Sequence, residues 1–108
     1  MVTEFEVETA AEFEDMLLTK DIRISEALVK TILDNLKGKK RHIHALSIVC
    51  KEEDAVYDIT VDRKDFHHTL ETNLPTYEKE ERYEECNEIQ KALEYLKKRE
   101  KKNAYKGV

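Results

Sequence analysis

The sequence predicts an α+β domain: a small antiparallel sheet packed with four helices, the last two forming an αα-hairpin. Two β-branched runs, His42–Cys50 and Ala55–Asp62, flank the polar loop Lys51–Asp54, and this is a hairpin pattern. Four other stretches repeat apolar residues every three to four positions, which is the helical period. With only two glycines and one proline in 108 residues, no linker divides the chain. Residues 1–108 therefore read as a single domain with one core, in three parts. The sheet and first two helices occupy 1–62, the helical hairpin 63–98, and a basic tail 99–108.

Taken in order, residues 2–8 suit a third strand, because Thr3, Phe5 and Val7 alternate with Glu4, Glu6 and Glu8. Thr9 and Glu12 then stand at capping-box spacing, followed by Ala10, Phe13 and Leu17 on one helical face with Met16 beside them, up to about Thr19. Ser25 is the expected cap of the second helix, with Ile24 stapled to Val29. Leu28, Ile32 and Leu36 form its stripe, flanked by Val29 and Leu33, and Gly38 its left-handed terminator. In the hairpin, closing the loop with Cys50 opposite Ala55 places Val49 against Val56, Ile48 against Tyr57, Leu46 against Ile59 and His44 against Val61. That register gives a core face of Ile48, Tyr57, Leu46, Ile59, His44 and Val61. The other face is mixed and includes Ile43, Ala45, Val49 and Val56.

Asp62 or Thr60 can cap a third helix over 63–81, with Phe66, Leu70, Leu74 and Tyr77 inward and a kink or break at Pro75. Cys86, Ile89, Leu93 and Leu96, with Tyr83 and Ala92 alongside, make the stripe of a fourth helix over 83–98.

Charge is abundant and uneven. Charged residues are 40% of the chain and the net charge is −5, but residues 1–21 sum to −6 and residues 97–108 to +5. No apolar run approaches the ~20 residues that span a bilayer, the acidic start is not a secretory signal, and two cysteines make no disulfide framework. The expectation is a cytoplasmic protein, with no membrane partner and with Cys50 and Cys86 reduced.

Within the hairpin, Leu74 to Lys97 reads LPTYEKEERYEECNEIQKALEYLK. It resembles the UVR motif, the helical hairpin of the UvrB and UvrC repair proteins and of some protease-system adaptors. Tyr83-Glu84-Glu85-Cys86 stands at the family's acidic-aromatic turn and Ile89, Leu93 and Leu96 at its apolar positions. Gln90-Lys91 replaces the family's Arg-Asp pair. The resemblance implies protein–protein docking, with Tyr77, Tyr83, Glu84, Glu85, Gln90 and Lys91 as the contact residues. In overall style the chain is also similar to small proteins of tailed bacteriophages, for which the cytoplasm would be the host's.

Catalytic chemistry finds little foothold. His42, His44, His67, His68, Cys50 and Cys86 lack the CxxC or HxxxH local pairs of zinc sites, and adjacent histidines on a helix diverge by ~100°. Cys86 lies on an apolar stripe, where burial makes a thiol inert. With only Gly38 and Gly107, no glycine-rich phosphate loop exists. No enzyme, cofactor or metal is expected. The first functional expectation is an adaptor or regulatory accessory protein acting through the hairpin or through homodimerisation. The second is a nucleic-acid-binding regulator using the 37–42 and 97–102 basic clusters: Lys37, Lys39, Lys40, Arg41, Lys97, Lys98 and Arg99. A small hydrolase with a histidine site ranks third.

Overall fold

A computed structural model describes the backbone of residues 3–106 and the side chains of residues 3–99. Val2 of the expected first strand, the side chains of Lys101 and Lys102, and the end of the tail at 107–108 lie outside the described residues. The chain is α+β. Strand β1 (Thr3–Val7) leads through helices α1 (Ala10–Leu18) and α2 (Ile22–Asp34) to strands β2 (His42–Cys50) and β3 (Ala55–Asp62). Helices α3 (Phe66–Lys79) and α4 (Tyr83–Lys106) follow.

The sheet order is β1-β2-β3, with β2–β3 antiparallel and β1–β2 parallel. The sheet is thus mixed, not wholly antiparallel. The physical reason is that α1 and α2 form a crossover between β1 and β2, which returns the chain in the same direction. In β1 the alternation holds: Val7 is buried and Phe5 half-buried, whereas Glu4 and Glu6 are exposed.

Register in the hairpin follows the expectation from Cys50↔Ala55 through Leu46↔Ile59 and then departs from it. A β-bulge lies between His44 and Leu46, so that His44 pairs with Thr60 and Ile43 with Val61. Ala45 and Leu46 are consecutive, yet both are 1% exposed, so both point into the core. Beyond the bulge the strand's parity is reversed. Ile43 and Ala45, expected on the mixed face, are core residues, and His44, expected in the core, sits on the open face. Tyr57, also expected in the core, is 44% exposed, because β3 is an edge strand whose tip the helices do not cover.

Two apolar clusters lie on the helix-covered face. The first joins Ile43, Ala45 and Val61 to Val29 and Ile32 of α2, Phe66, Leu70 and Tyr77 of α3, and the α4 stripe. The second joins Val7, Met16, Ile24, Ala27, Leu46, Ile48 and Cys50.

Helix boundaries move where local capping competes. Thr9 caps α1 by accepting from the Glu12 amide, and the Glu12 carboxylate accepts from the Glu8 amide. Asp21, not Ser25, caps α2, because its carboxylate accepts the Arg23 amide and also holds the Arg23 guanidinium. The α2 helix ends at Asp34 with Asn35 as its cap, and Gly38 is not left-handed. Residues 63–65 form a 3-10 turn capped by Asp62, and α3 runs through Pro75 without a break. The α3–α4 turn instead uses Glu81, at φ 58°. The α4 helix continues past Lys98 to Lys106.

Placing a carboxylate at Leu46, which packs between β1, α2 and β3, costs several kcal/mol that no nearby cation offsets. Leu46→Asp is expected to abolish cooperative folding, and a sigmoidal thermal melt from the purified variant would contradict this packing.

Candidate functional site

The α3–α4 hairpin was the first candidate surface. Tyr77 is only 2% exposed and packs in the first cluster, so it is corrected from a contact residue to a core residue. Its helical phase, shared with Phe66 and Leu70, directs it inward. Burial pushes its phenol up to about 12. Tyr83 is 67% exposed at the start of α4, and Glu84, Gln90 and Lys91 are exposed beyond it. Glu85 turns sideways to Arg82, at 3.3 Å. Arg82 also holds Glu26 of α2 at 2.7 Å and lies 5.9 Å from the Tyr77 ring centroid. It thereby fastens the hairpin turn to the beginning of α2. Beside it a cleft of about 350 Å³ opens between α2 and α4, lined by Val29, Leu33 and Tyr77 with Glu26, Glu85 and Glu88.

A second arginine organises the other end of the molecule. The Arg63 guanidinium donates to the carbonyls of Lys40 (2.6 Å), Leu36 (3.3 Å) and Asn35 (2.9 Å), and its backbone amide donates to Arg41. It also lies 4.8 Å from the Phe66 ring centroid. Spending the guanidinium on main-chain carbonyls fixes the α2–β2 loop while leaving Lys37, Lys39, Lys40 and Arg41 exposed. Nothing in the local sequence marks Arg63 for this. The fold brings its side chain to residues more than twenty positions away.

Two basic clusters expected from sequence, 37–41 and the described part of the second, 97–99, both lie toward this end. The α3 helix starts next to the Arg63 clasp, and α4 returns along it. A cleft of about 490 Å³ is lined by His67 and Glu71 of α3 with Gln90, Leu93, Glu94 and Lys97 of α4. Lys97 therefore lies across from the first turn of α3, Lys98 is exposed beside it, and Arg99 is half-buried. Lys64, in the 3-10 turn, is exposed at the same end. The opposite end is acidic. It carries Glu78, Glu80, Glu81 and Glu84 around the hairpin turn and Glu52, Glu53 and Asp54 in the β2–β3 loop, all exposed. The α2 helix runs between the ends: Thr31 donates to the Ala45 carbonyl near one, while Ile24 and Ala27 pack with Ile48 and Cys50 near the other. Carboxylates at the α4 N-terminus and lysines toward its C-terminus also oppose the helix dipole favourably.

The open sheet face holds a cluster that sequence reasoning missed. The His44 Nε2 lies 2.9 Å from the Ser47 hydroxyl and 3.1 Å from the Leu46 carbonyl oxygen. Ser47 donates to Asp58 at 2.8 Å. The residue types are those of a hydrolase triad, but the proton directions are wrong. A carbonyl only accepts, so Nε2 carries the hydrogen, and the serine's own proton is given to the carboxylate. In that tautomer His44 turns no lone pair toward Ser47 and does not serve as its base, and Nε2 also lies 3.4 Å from the Asp58 carboxylate. The bulge was the missing signal: it is what turns His44 to the face shared by Ser47 and Asp58. His42 lies 3.6 Å from Asp62 and His67 lies 2.7 Å from Glu71. Among the described residues no three His, Cys, Asp or Glu side chains gather closely enough to hold a metal ion.

Cys50 and Cys86 are both free and buried, and burial pushes the Cys86 thiol up, with Glu78 and Glu85 adding to the effect. No helix among the described residues is long and apolar enough to cross a membrane. No protein-family model matches the chain, and no curated protein and no solved structure matches it either.

Two predictions follow from the buried groups. Cys86 is expected to resist alkylation in the native state and to react at the rate of global unfolding. Prompt modification of folded protein would mean that the thiol is accessible. For Tyr77, the folded pKa is above that of the unfolded phenol, so unfolding releases a proton between about pH 10 and pH 12. The stability it contributes is intact below pH 10 and declines as pH rises through that window. Urea melts should show Tyr77→Phe losing less stability than the parent chain from pH 10 to pH 12, and parallel losses would refute the assignment.

Proposed function

We propose that the chain is a non-enzymatic cytoplasmic accessory protein that binds an anionic macromolecule, a nucleic acid, through its basic end and that self-associates. The observation that supports this reading is that two clusters, 37–41 and 97–99, separated by more than fifty residues of sequence, both lie toward the end of the molecule where α3 starts. Lysines scattered over a surface bind phosphates poorly. Held on a fixed loop and an adjacent helix, they act together, and each neutralised phosphate releases condensed counterions. The net charge of −5 does not oppose this, because the Debye length at physiological salt is about 8 Å and the acidic end is screened from the basic one. Carboxylates also stand near the basic end: Asp62 accepts the Lys64 amide and Glu71 pairs with His67, while Asp65 and Glu94 are exposed.

Recognition by this surface is of the backbone. Phe66 is fully buried and Tyr95 packs against the core, so among the described residues the basic end presents no aromatic platform for stacking bases. Binding of this kind depends on charge density and little on sequence, which suits an accessory role beside a more specific partner.

A second reading is docking of the α3–α4 hairpin on a protein partner, the role that the UVR resemblance implies. Tyr83, two-thirds exposed next to Glu84, supports it as an aromatic anchor with an acidic rim.

Anisotropy of a fluorescein-labelled 20-nucleotide DNA and of the same-sequence RNA, titrated with protein at rising salt, tests the proposal. The affinity should fall linearly on logarithmic axes, with a slope near −4 for about five phosphate contacts. Neutralising Lys37, Lys39 and Lys40 together should make that slope shallower by about two to three, and replacing all three by arginine should preserve it. Absence of binding to either probe at 50 mM salt would discard the nucleic-acid reading and leave the hairpin.

A further inference from the structure

We propose that β3 pairs with β3 of a second copy across a two-fold axis, Ile59 against Ile59, forming one continuous six-stranded sheet. The inference rests on the self-association in the reading above and is independent of nucleic-acid binding.

The order β1-β2-β3 leaves two sheet edges, and they are unlike. The β1 strand carries Glu4 and Glu6, with Lys51 3.5 Å from Glu6, and charge of this kind discourages edge-to-edge pairing. The β3 strand, AVYDITVD, has no proline and no lysine, and the bulge of the pair lies on β2. Val56 is 60% exposed and Tyr57 44%, although both lie on a regular strand. The two carboxylates of β3 are engaged within the chain, Asp58 by the Ser47 hydroxyl and Asp62 by the Lys64 amide. An eight-residue edge without proline, lysine or a bulge of its own is a template for another strand.

Symmetry narrows the pairing. A two-fold axis normal to the sheet gives antiparallel strands and keeps each face on its own side, so opposed residues must share a face. Centring on Asp58 would set that carboxylate against its own copy, which is unfavourable. Centring on Ile59 sets Ile59 against Ile59 and Tyr57 against Val61 on the helix-covered side. On the open side it sets Asp58 against Thr60, a carboxylate facing a hydroxyl donor.

The same register carries charge complementarity beyond the strand. At the strand ends it sets Ala55 and Val56 of one copy against Arg63 and Asp62 of the other, so the acidic 52–54 loop of each protomer approaches the 63–65 turn of the other, which carries Arg63, Lys64 and Asp65. The basic end of each protomer thus lies beside the acidic end of the other. The charge separation that supports polyanion binding also favours an antiparallel pair of copies, and it disfavours a parallel arrangement with like ends together.

Sedimentation equilibrium of the full chain without nucleic acid, from 1 to 100 μM in moderate salt, tests the proposal. The expected result is a mass approaching twice 12.8 kDa within that range. Thr60→Asp sets a carboxylate against Asp58 of the opposite copy at each of the two symmetry-related pairs and should weaken the dimer at least tenfold. Thr60→Lys sets opposite charges there and should retain it. Thr60 is exposed, and a thermal melt of each variant confirms folding. A mass of 12.8 kDa at 100 μM, or equal dimerisation of the Asp and Lys variants, would overturn the proposal. As a measurement on the unaltered chain, outward-facing β3 amides should exchange more slowly at 100 μM than at 1 μM. Concentration-independent exchange would also overturn it.

Discussion

The β-bulge between His44 and Leu46 is the constraint on which the rest of the architecture depends. One extra residue lets β2 serve two cores of different composition. Leu46, Ile48 and Cys50 reach the cluster shared with β1 and α1, while Ile43 and Ala45 reach the cluster shared with α3 and α4. A regular strand would hold only one of these sets inward. It would expose the other, losing about 1.5–3 kcal/mol for each large aliphatic side chain brought to water. The bulge also decides the chemistry of the open face, because the parity change that buries Ile43 is the one that exposes His44 beside Ser47 and Asp58.

Two arginines then hold the ends of the helical layer by different means. Arg63 satisfies main-chain carbonyls of the α2–β2 loop, whereas Arg82 bridges carboxylates of α2 and α4. Carbonyls of a loop that leaves a helix need donors wherever water is displaced. A guanidinium provides several in one fork, which an ammonium cannot. The result is a fixed loop whose lysines have no structural duty. At the other end, Arg82 moderates a crowd of carboxylates around the hairpin turn. The chain is therefore electrostatically two-ended, and both proposed activities, phosphate binding and antiparallel pairing, use that property.

The open face illustrates how residue identity alone misleads. Histidine, serine and aspartate within hydrogen-bond distance invite a catalytic reading, but hydrogen-bond direction decides otherwise. The network ties the buried Ser47 hydroxyl to the exposed Asp58 carboxylate and so fixes side-chain positions across the β2–β3 pair.

Local spacing in the sequence was enough to determine the α+β class, the four helices, the hairpin loop and its first pairs, and the inward stripes of α3 and α4. Each depends on period or on capping within a few residues, as with Thr9 and Glu12 or with Phe66 and Leu70. The break in parity was present too, as the adjacent apolar pair Ala45-Leu46, but a strict alternation read across it assigned His44 to the core. Only tertiary structure decided the direction of β1, because parallel or antiparallel pairing depends on where a crossover of two helices returns the chain. Competition among neighbours also moved the α2 cap to Asp21, where a carboxylate with its own arginine outweighs a serine that the fold buries. Of the candidate surface, the lysines were legible as clusters and Tyr83 as an exposed aromatic. Their grouping at one end was not, because it arises from a guanidinium reaching carbonyls more than twenty residues away and from α4 returning along α3. Spacing along a chain records which face a residue occupies, and only packing determines which faces meet.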